Sequence, residues 1–233
     1  MDYSGKWALR ARGIGQKLGI LRPAVRAFRK LTRQSYEEAF DRALMSAIRP
    51  GDTVWDVGAN VGVYTTRFAD AVGETGRVVA FEPSPASIEA LRSACSGRGN
   101  IEIVNAALSD QAGTVDFYVS REGHSVTDGF SPKSPSDVKV EVQAAPGDDW
   151  LRLGQPAVIK IDVEGFELEV IRGMHAILRS PGLRGLFVEV HFLASVERGE
   201  PQGPAKLTAL LKEAGLSYHW VDASHLVATR AGR

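Results

Sequence analysis

The sequence predicts a doubly wound α/β domain: a mostly parallel seven-stranded sheet with helices on both faces, finished by a C-terminal antiparallel hairpin. Three observations carry that expectation. From Pro50 onward, short β-branched runs alternate with helix-patterned stretches, as parallel strands joined by crossover helices require. The first run ends in a glycine-bearing turn, the place where such a sheet receives its ligand. The 233 residues, 44% apolar and 24% charged, suit one globular domain that buries roughly 70–75% of the surface of its unfolded chain. That composition excludes disorder as the whole answer.

The chain begins with a charge asymmetry that its neutral total conceals. Residues 1–34 hold nine Lys/Arg against the single acid Asp2, whereas the remainder holds 19 basic and 27 acidic side chains. Residues 1–45 therefore read as a basic N-terminal extension and 46–233 as the domain, whose net negative charge argues against nucleic acid as a partner. Ile14, Leu18, Leu21, Val25 and Phe28 recur at three- and four-residue steps, which places them on one face of a helix with cations opposite. That apolar face suits three coverings: the protein's own domain, peripheral contact with an anionic membrane surface, or a second copy in a homodimer.

The periodicity then predicts strands at Thr53–Val57, Val78–Glu82, Ile101–Asn105, Val158–Val163 and Leu186–His191. Helices over Val61–Val72, Pro85–Cys95, Phe166–Leu178 and Pro204–Ala214 join them, and Tyr218–Asp222 with Leu226–Thr229 makes the closing hairpin. Between the third and fourth strands lies an insertion, its loop part placed at residues 120–147. There Thr114–Val119 and Val138–Val142 pattern as strands around an Arg121–Asp137 loop rich in Gly, Ser and Pro, which is expected to close over a ligand. The single Cys95 forms no internal disulfide and reads as a small buried hydrophobe. With no apolar run long enough for a membrane span, the expected address is the cytoplasm.

The first strand and its turn read Val54-Trp55-Asp56-Val57-Gly58-Ala59-Asn60-Val61-Gly62, so bare backbone appears where a strand gives way to a helix. Gly58 and Gly62 stand four apart, unlike the G-x-G-x-x-G spacing that cradles a pyrophosphate. Asp56 precedes the turn, and a carboxylate there suits a cationic amino acid moiety better than a phosphate. The second strand ends Ala80-Phe81-Glu82-Pro83, and Glu82 is placed to accept hydrogen bonds from both hydroxyls of a ribose. These features favour a ligand with a ribose and a positive charge but no phosphate, and S-adenosylmethionine fits.

Four ordered blocks resemble the FkbM-type methyltransferases of the class I, Rossmann-like S-adenosylmethionine-dependent fold. They are Trp55-Asp56-Val57-Gly58-Ala59-Asn60-Val61-Gly62-Val63-Tyr64-Thr65, then Val79-Ala80-Phe81-Glu82-Pro83-Ser84-Pro85, Asn105-Ala106-Ala107-Leu108-Ser109-Asp110, and Ile159-Lys160-Ile161-Asp162-Val163-Glu164-Gly165-Phe166-Glu167 with Val188-Glu189-Val190-His191 after it. The resemblance implies O-methylation of a hydroxyl on a sugar, glycan or secondary metabolite. It also implies that Asp56, Gly58, Ala59, Asn60, Gly62 and Glu82 hold the cofactor, that Asn105 and Ala106 flank its adenine, and that Asp110 reaches the adenine amino group. One departure is Pro146-Gly147-Asp148-Asp149-Trp150, where the family tends to show Leu-Asp.

Methyl transfer from a sulfonium is an in-line displacement, so alignment is most of the work and a hydroxyl acceptor must also lose its proton. Side chains two apart on a strand share a face, so Asp162 with Glu164, and Glu189 with His191, can project together from adjacent strand ends. Asp162 is assigned to the methionine end of the cofactor, and His191 or Glu164 to the base, with Glu189 as a structural partner. Asp162, Glu189 and His191 would make a competent divalent-cation set, but a reaction without a metal is the expectation. His124, His175, His219 and His225 fit no constellation. Two other readings stay open: an N-methyltransferase of a small molecule, and a non-catalytic scaffold that retains the fold.

Overall fold

A computed structural model describes residues 38–120, 128–132 and 134–230. The amphipathic pattern of residues 14–28, with its membrane and dimer readings, lies outside the described residues, as does much of the Arg121–Asp137 loop. In chain order the elements are helix α1 over residues 38–47, β1 (Thr53–Val57), α2 (Val63–Val72), β2 (Arg77–Phe81), α3 (Ile88–Ala94), β3 (Ile101–Val104), β4 (Ala107–Ser109), β5 (Gly113–Val119) and β6 (Val138–Pro146). A 3-10 helix (Gly147–Leu153) leads to β7 (Val158–Ile161), α4 (Glu167–Arg172), α5 (His175–Arg179), β8 (Gly185–Glu189), α6 (Phe192–Glu197), α7 (Gly203–Glu213), β9 (Leu216–Trp220) and β10 (His225–Arg230).

Seven strands form one sheet in the order β3-β2-β1-β7-β8-β10-β9, the first five parallel and β10 antiparallel to both its neighbours. The strand order reverses between β1 and β7, which opens a crevice at their carboxyl ends. Strands buried on both faces explain the nearly continuous apolar runs in the sequence. Trp55, Val57, Ile159 and Ile161 face the layer of α4, α5 and α7, while Val54, Val78, Val158 and Phe187 pack on the opposite face with Phe68 of α2 and Phe40 and Leu44 of α1. Helix α1 thus belongs to the core and carries the domain's packing to the N-terminal side of position 46. Cys95 is buried beside Leu91 and Ile88, as its sequence context predicts. Among the described residues, no helix is long and apolar enough to cross a membrane.

Four features differ from the sequence reading. The helix expected over Phe166–Leu178 is two helices, broken at Gly173, where a Cβ would stand 1.8 Å from the carbonyl oxygen of Ser109. The chain presses there against β4. Asp148 then starts α5 afresh, its carboxylate accepting the amides of Ala176 at 2.8 Å and Ile177 at 3.0 Å, an N-terminal cap contributed from a distant turn. The Asp148 of the unusual Pro146–Trp150 segment is therefore structural. Helix α6, the short β4 and the 3-10 helix carry no clear periodicity, being too short to show one. In the insertion, β5 and β6 pair antiparallel and β6 also takes β4 as a parallel neighbour, giving a three-stranded sheet beside the crevice.

Candidate active site

The site forms where β1, β2 and β7 end. Beyond Val57 the chain turns through Gly58, Asn60 and Gly62 with φ of 79°, 51° and 89°. At Gly58 both conformation and space demand glycine, because a Cβ would stand 1.8 Å from the carbonyl oxygen of Asp162. The amides of Gly58 and Ala59 both donate to the Phe81 carbonyl at 3.0 Å, and that of Asp162 to the Val57 carbonyl at 3.0 Å. Three strand ends are thereby stapled into one ledge.

Glu82 lies on that ledge, 5% exposed, with one carboxylate oxygen accepting the Asn60 amide and the other the Ser84 amide, each at 2.7 Å. Burial pushes its pKa up to about 7, against the pull of those two amides. Its backbone carbonyl accepts the Asn105 side-chain amide at 2.9 Å. A cavity of about 270 Å³ opens in front. Its apolar part is walled by Phe81, Ala106, Leu108, Phe117 and Phe130, and its polar part by Asn60, Glu82, Asp128, Lys160, Asp162 and Glu164. Phe130 stacks on Phe166 with centroids 4.0 Å apart and meets Phe117 edge-on. The buried Asp128 accepts the Ser84 hydroxyl at 2.6 Å and the Ser120 amide at 2.9 Å, which ties the insertion to the glutamate ledge.

The far end of the cavity is charged. Lys160, only 5% exposed, donates to the Gly58 carbonyl at 3.1 Å and lies 3.4 Å from Asp56, 3.5 Å from Asp162 and 5.1 Å from the Tyr64 ring centroid. Burial opposes its charge, but Asp56 and Asp162 outweigh burial and raise its pKa. Beyond it, Glu164 adopts a left-handed φ of 54°, costly for a residue with a side chain by about 1–2 kcal/mol, and lines the cavity. His191, where β8 gives way to α6, places Nδ1 2.8 Å from the buried Glu167, which also accepts the Gly165 amide at 2.9 Å. Nε2 of His191 is 3.5 Å from Glu164 and 3.8 Å from Asp162. Burial disfavours the imidazolium, yet Glu167, Glu164 and Asp162 together push its pKa up to about 9.

The structure brings Gly58, Ala59, Asn60, Glu82, Ala106, Asp162 and Glu164 to one cavity, with His191 immediately behind. Other expected residues lie elsewhere. Asp56, read as the partner of a ligand cation, is fully buried off the cavity wall, taking the Thr65 hydroxyl at 2.7 Å and the Lys160 ammonium instead. Gly62 shapes the turn, where a Cβ would press to 2.9 Å on Leu91. Asn105 stands behind Glu82, and Asp110 faces Arg172 at 4.0 Å. Glu189 turns from His191 to His225, whose Nε2 is 3.5 Å away and whose Nδ1 meets Asp222 at 2.7 Å, so His225 does belong to a constellation. Sequence reasoning missed Lys160, Asp128 and Phe130. Only Lys160 left a trace, a cation in an otherwise apolar buried strand.

The cavity suits S-adenosylmethionine on the chemistry of its donors. A buried carboxylate, fixed through both oxygens by backbone amides, lines one end of an apolar slot, as a ribose beside a purine requires, and acids crowd the other end, where a sulfonium and an ammonium would lie.

Residues 56–218 match the methyltransferase FkbM domain family model. The hexuronic acid methyltransferase AglP of Haloferax volcanii is 30% identical over 185 residues, covering 78% of this chain and 70% of that protein. The 31-O-demethyl-FK506 methyltransferase FkbM of Streptomyces tacrolimicus is 40% identical over 90 residues, 36% of this chain and 34% of that one, so the match spans about a third of its length. A solved structure described as an rRNA methylase from Clostridium thermocellum superimposes with a TM-score of 0.54 at 11% identity, over 82% of this chain and 92% of that one, and shows the same fold. A family match that begins on the aspartate before the glycine turn and runs past β8 takes in every wall of the cavity: the chain belongs to the FkbM family of S-adenosylmethionine-dependent methyltransferases.

Proposed function

We propose that the protein methylates a hydroxyl oxygen of a sugar or glycan, with S-adenosylmethionine as donor. The observation that carries this reading is the adjacency, in one cavity, of the Glu82 ledge and the acids Asp162 and Glu164, with His191 directly behind them. S-adenosylmethionine, when bound, supplies an electrophilic methyl group on a sulfonium. Glu82 accepts the ribose hydroxyls, Phe81, Ala106 and Leu108 enclose the purine, and Asp162 faces the methionine end. Glu164, on the cavity wall, takes the acceptor's proton, and His191, held by Glu167, stands behind it and sets the local charge. The apolar walls of Phe117 and Phe130 exclude water from the transfer. A sugar acceptor is supported by the hexuronic acid named for the Haloferax relative.

The test is incubation of the full chain with donor bearing a deuterated methyl group and a panel of uronic acid and neutral glycosides, followed by mass spectrometry. The expected product carries one CD₃ group on oxygen, located by fragmentation. Label found on nitrogen, or on no member of the panel while donor still binds, would overturn the reading.

A further inference from the structure

We propose that Asp162, Glu164 and His191 form a site for one divalent cation of the Mg²⁺ or Mn²⁺ class, placed to hold the acceptor's oxygen. The inference rests on the cavity's assignment to methyl transfer. The first ground is the spacing of the donors. One carboxylate oxygen from each acid and an imidazole nitrogen all lie within 4.8 Å of one another. Around an octahedral ion with bonds of ~2.1 Å, neighbouring donors stand ~3.0 Å apart and opposite donors ~4.2 Å. The 3.5 Å and 3.8 Å separations of Nε2 from Glu164 and Asp162 fall between these values. They are also long for hydrogen bonds, so Nε2 lies between the two carboxylates at ion-pair distance from each.

The second ground is the imidazole's other nitrogen. Nδ1 is engaged by Glu167, whose side chain is 2% exposed and which is itself fixed by the Gly165 amide. A buried carboxylate on one ring nitrogen, leaving the other aimed at a cluster of acids, is how proteins orient a metal-binding histidine. The third ground is charge. Among the described residues the cavity wall carries the acids Glu82, Asp128, Asp162 and Glu164 and the cation Lys160, which is shared with Asp56. One imidazole nitrogen with two carboxylates, completed by water and by acceptor oxygens, is a donor set for a hard octahedral ion. Asp162 and Glu164 both line the cavity, so the ion's open positions would face the acceptor and lower the pKa of a bound hydroxyl, and the Glu164 oxygen not on the ion would take its proton.

The experiment uses the full chain, stripped with chelator and titrated with Mn²⁺ alone. Free ion is read by electron paramagnetic resonance, and bound ion is examined by electron spin echo for ¹⁴N coupling. We expect one saturable Mn²⁺ per chain, a nitrogen coupling from His191, a tenfold or greater loss of affinity in D162N and H191A, and no change in E189Q, whose carboxylate faces His225. Absence of saturable binding overturns the proposal. So does bound Mn²⁺ without ¹⁴N coupling in the parent, a result that needs no variant to fold. Stripped protein that methylates its acceptor at full rate and binds no Mn²⁺ removes the metal and leaves the methyltransferase reading intact. Mn²⁺ binding as expected, with no methylation of any glycoside hydroxyl, does the reverse.

Discussion

Asp56 and Lys160 are direct register partners across β1 and β7, with carboxylate and ammonium 3.4 Å apart and both side chains sealed from solvent. The pair joins the two strands that flank the crevice, and the same ammonium holds the Gly58 carbonyl and reaches Asp162. Each charge is tolerable only because the other is present, since removing one partner of a buried pair costs about 3–5 kcal/mol. K160M is therefore expected to lose that much stability in urea denaturation, and the double variant D56N/K160M to recover most of it. A K160M protein as stable as the parent would mean the pair carries no such burden.

Glu82 links pH to cofactor affinity. Burial holds its pKa near 7 in the free protein, so below that pH an increasing share of the carboxyl is protonated and accepts one hydrogen bond fewer. Its folded pKa exceeds the ordinary value, so ionisation between pH 4.5 and about 7 costs stability that a diol-bearing ligand restores. Affinity for S-adenosylmethionine should rise about tenfold per pH unit up to about 7 and then level off. Calorimetric titration from acid to mildly alkaline pH checks this, and E82Q should bind ~100-fold more weakly with a flat profile, given two charge-assisted hydrogen bonds lost.

His225 should make stability pH-dependent. Burial opposes its charge, but Asp222 and Glu189 outweigh it and push the pKa up to about 9, while burial of Asp222 is outweighed by His225, which brings that carboxyl down to about 2. The histidine's contribution is complete below pH 6.5 and fades as pH rises through 9. That of the aspartate is complete above pH 3.8 and fades as pH falls towards 2. H225Q should therefore lose about 2–3 kcal/mol at pH 5.5 and under about 1 kcal/mol at pH 9.5. Thermal melts of parent and variant at both pH values give the comparison, and a difference that does not shrink at high pH would exclude the pairing as its source.

Gly58 tests the ledge itself. G58A forces a methyl onto the Asp162 carbonyl at a backbone φ of 79°, so the turn must separate from β7 or the strands must shift. Donor affinity should fall more than ~100-fold even in whatever fraction remains folded, because the turn, Glu82 and Asp162 share one set of hydrogen bonds. Circular dichroism beside the binding titration separates lost fold from lost affinity.

The principal strands, the glycine turn and the acid at the end of β2 were legible in the sequence, because each follows from neighbours a few positions away: apolar periodicity, a left-handed turn, a fixed step to Glu82. The break at Gly173 was not, because the surface that requires it is the Ser109 carbonyl, and its capping carboxylate comes from Asp148. Likewise the residue types at 56, 160, 189 and 225 announced buried charge but not its pairing. Asp56 looked ready for a ligand and proved to be a partner for Lys160; Glu189 looked paired with His191 and turns to His225. Local sequence determines which backbone shapes are affordable, but a charge inside the protein is stabilised by whichever opposite group the packed sheet brings within a few ångströms, and that choice belongs to the tertiary structure alone.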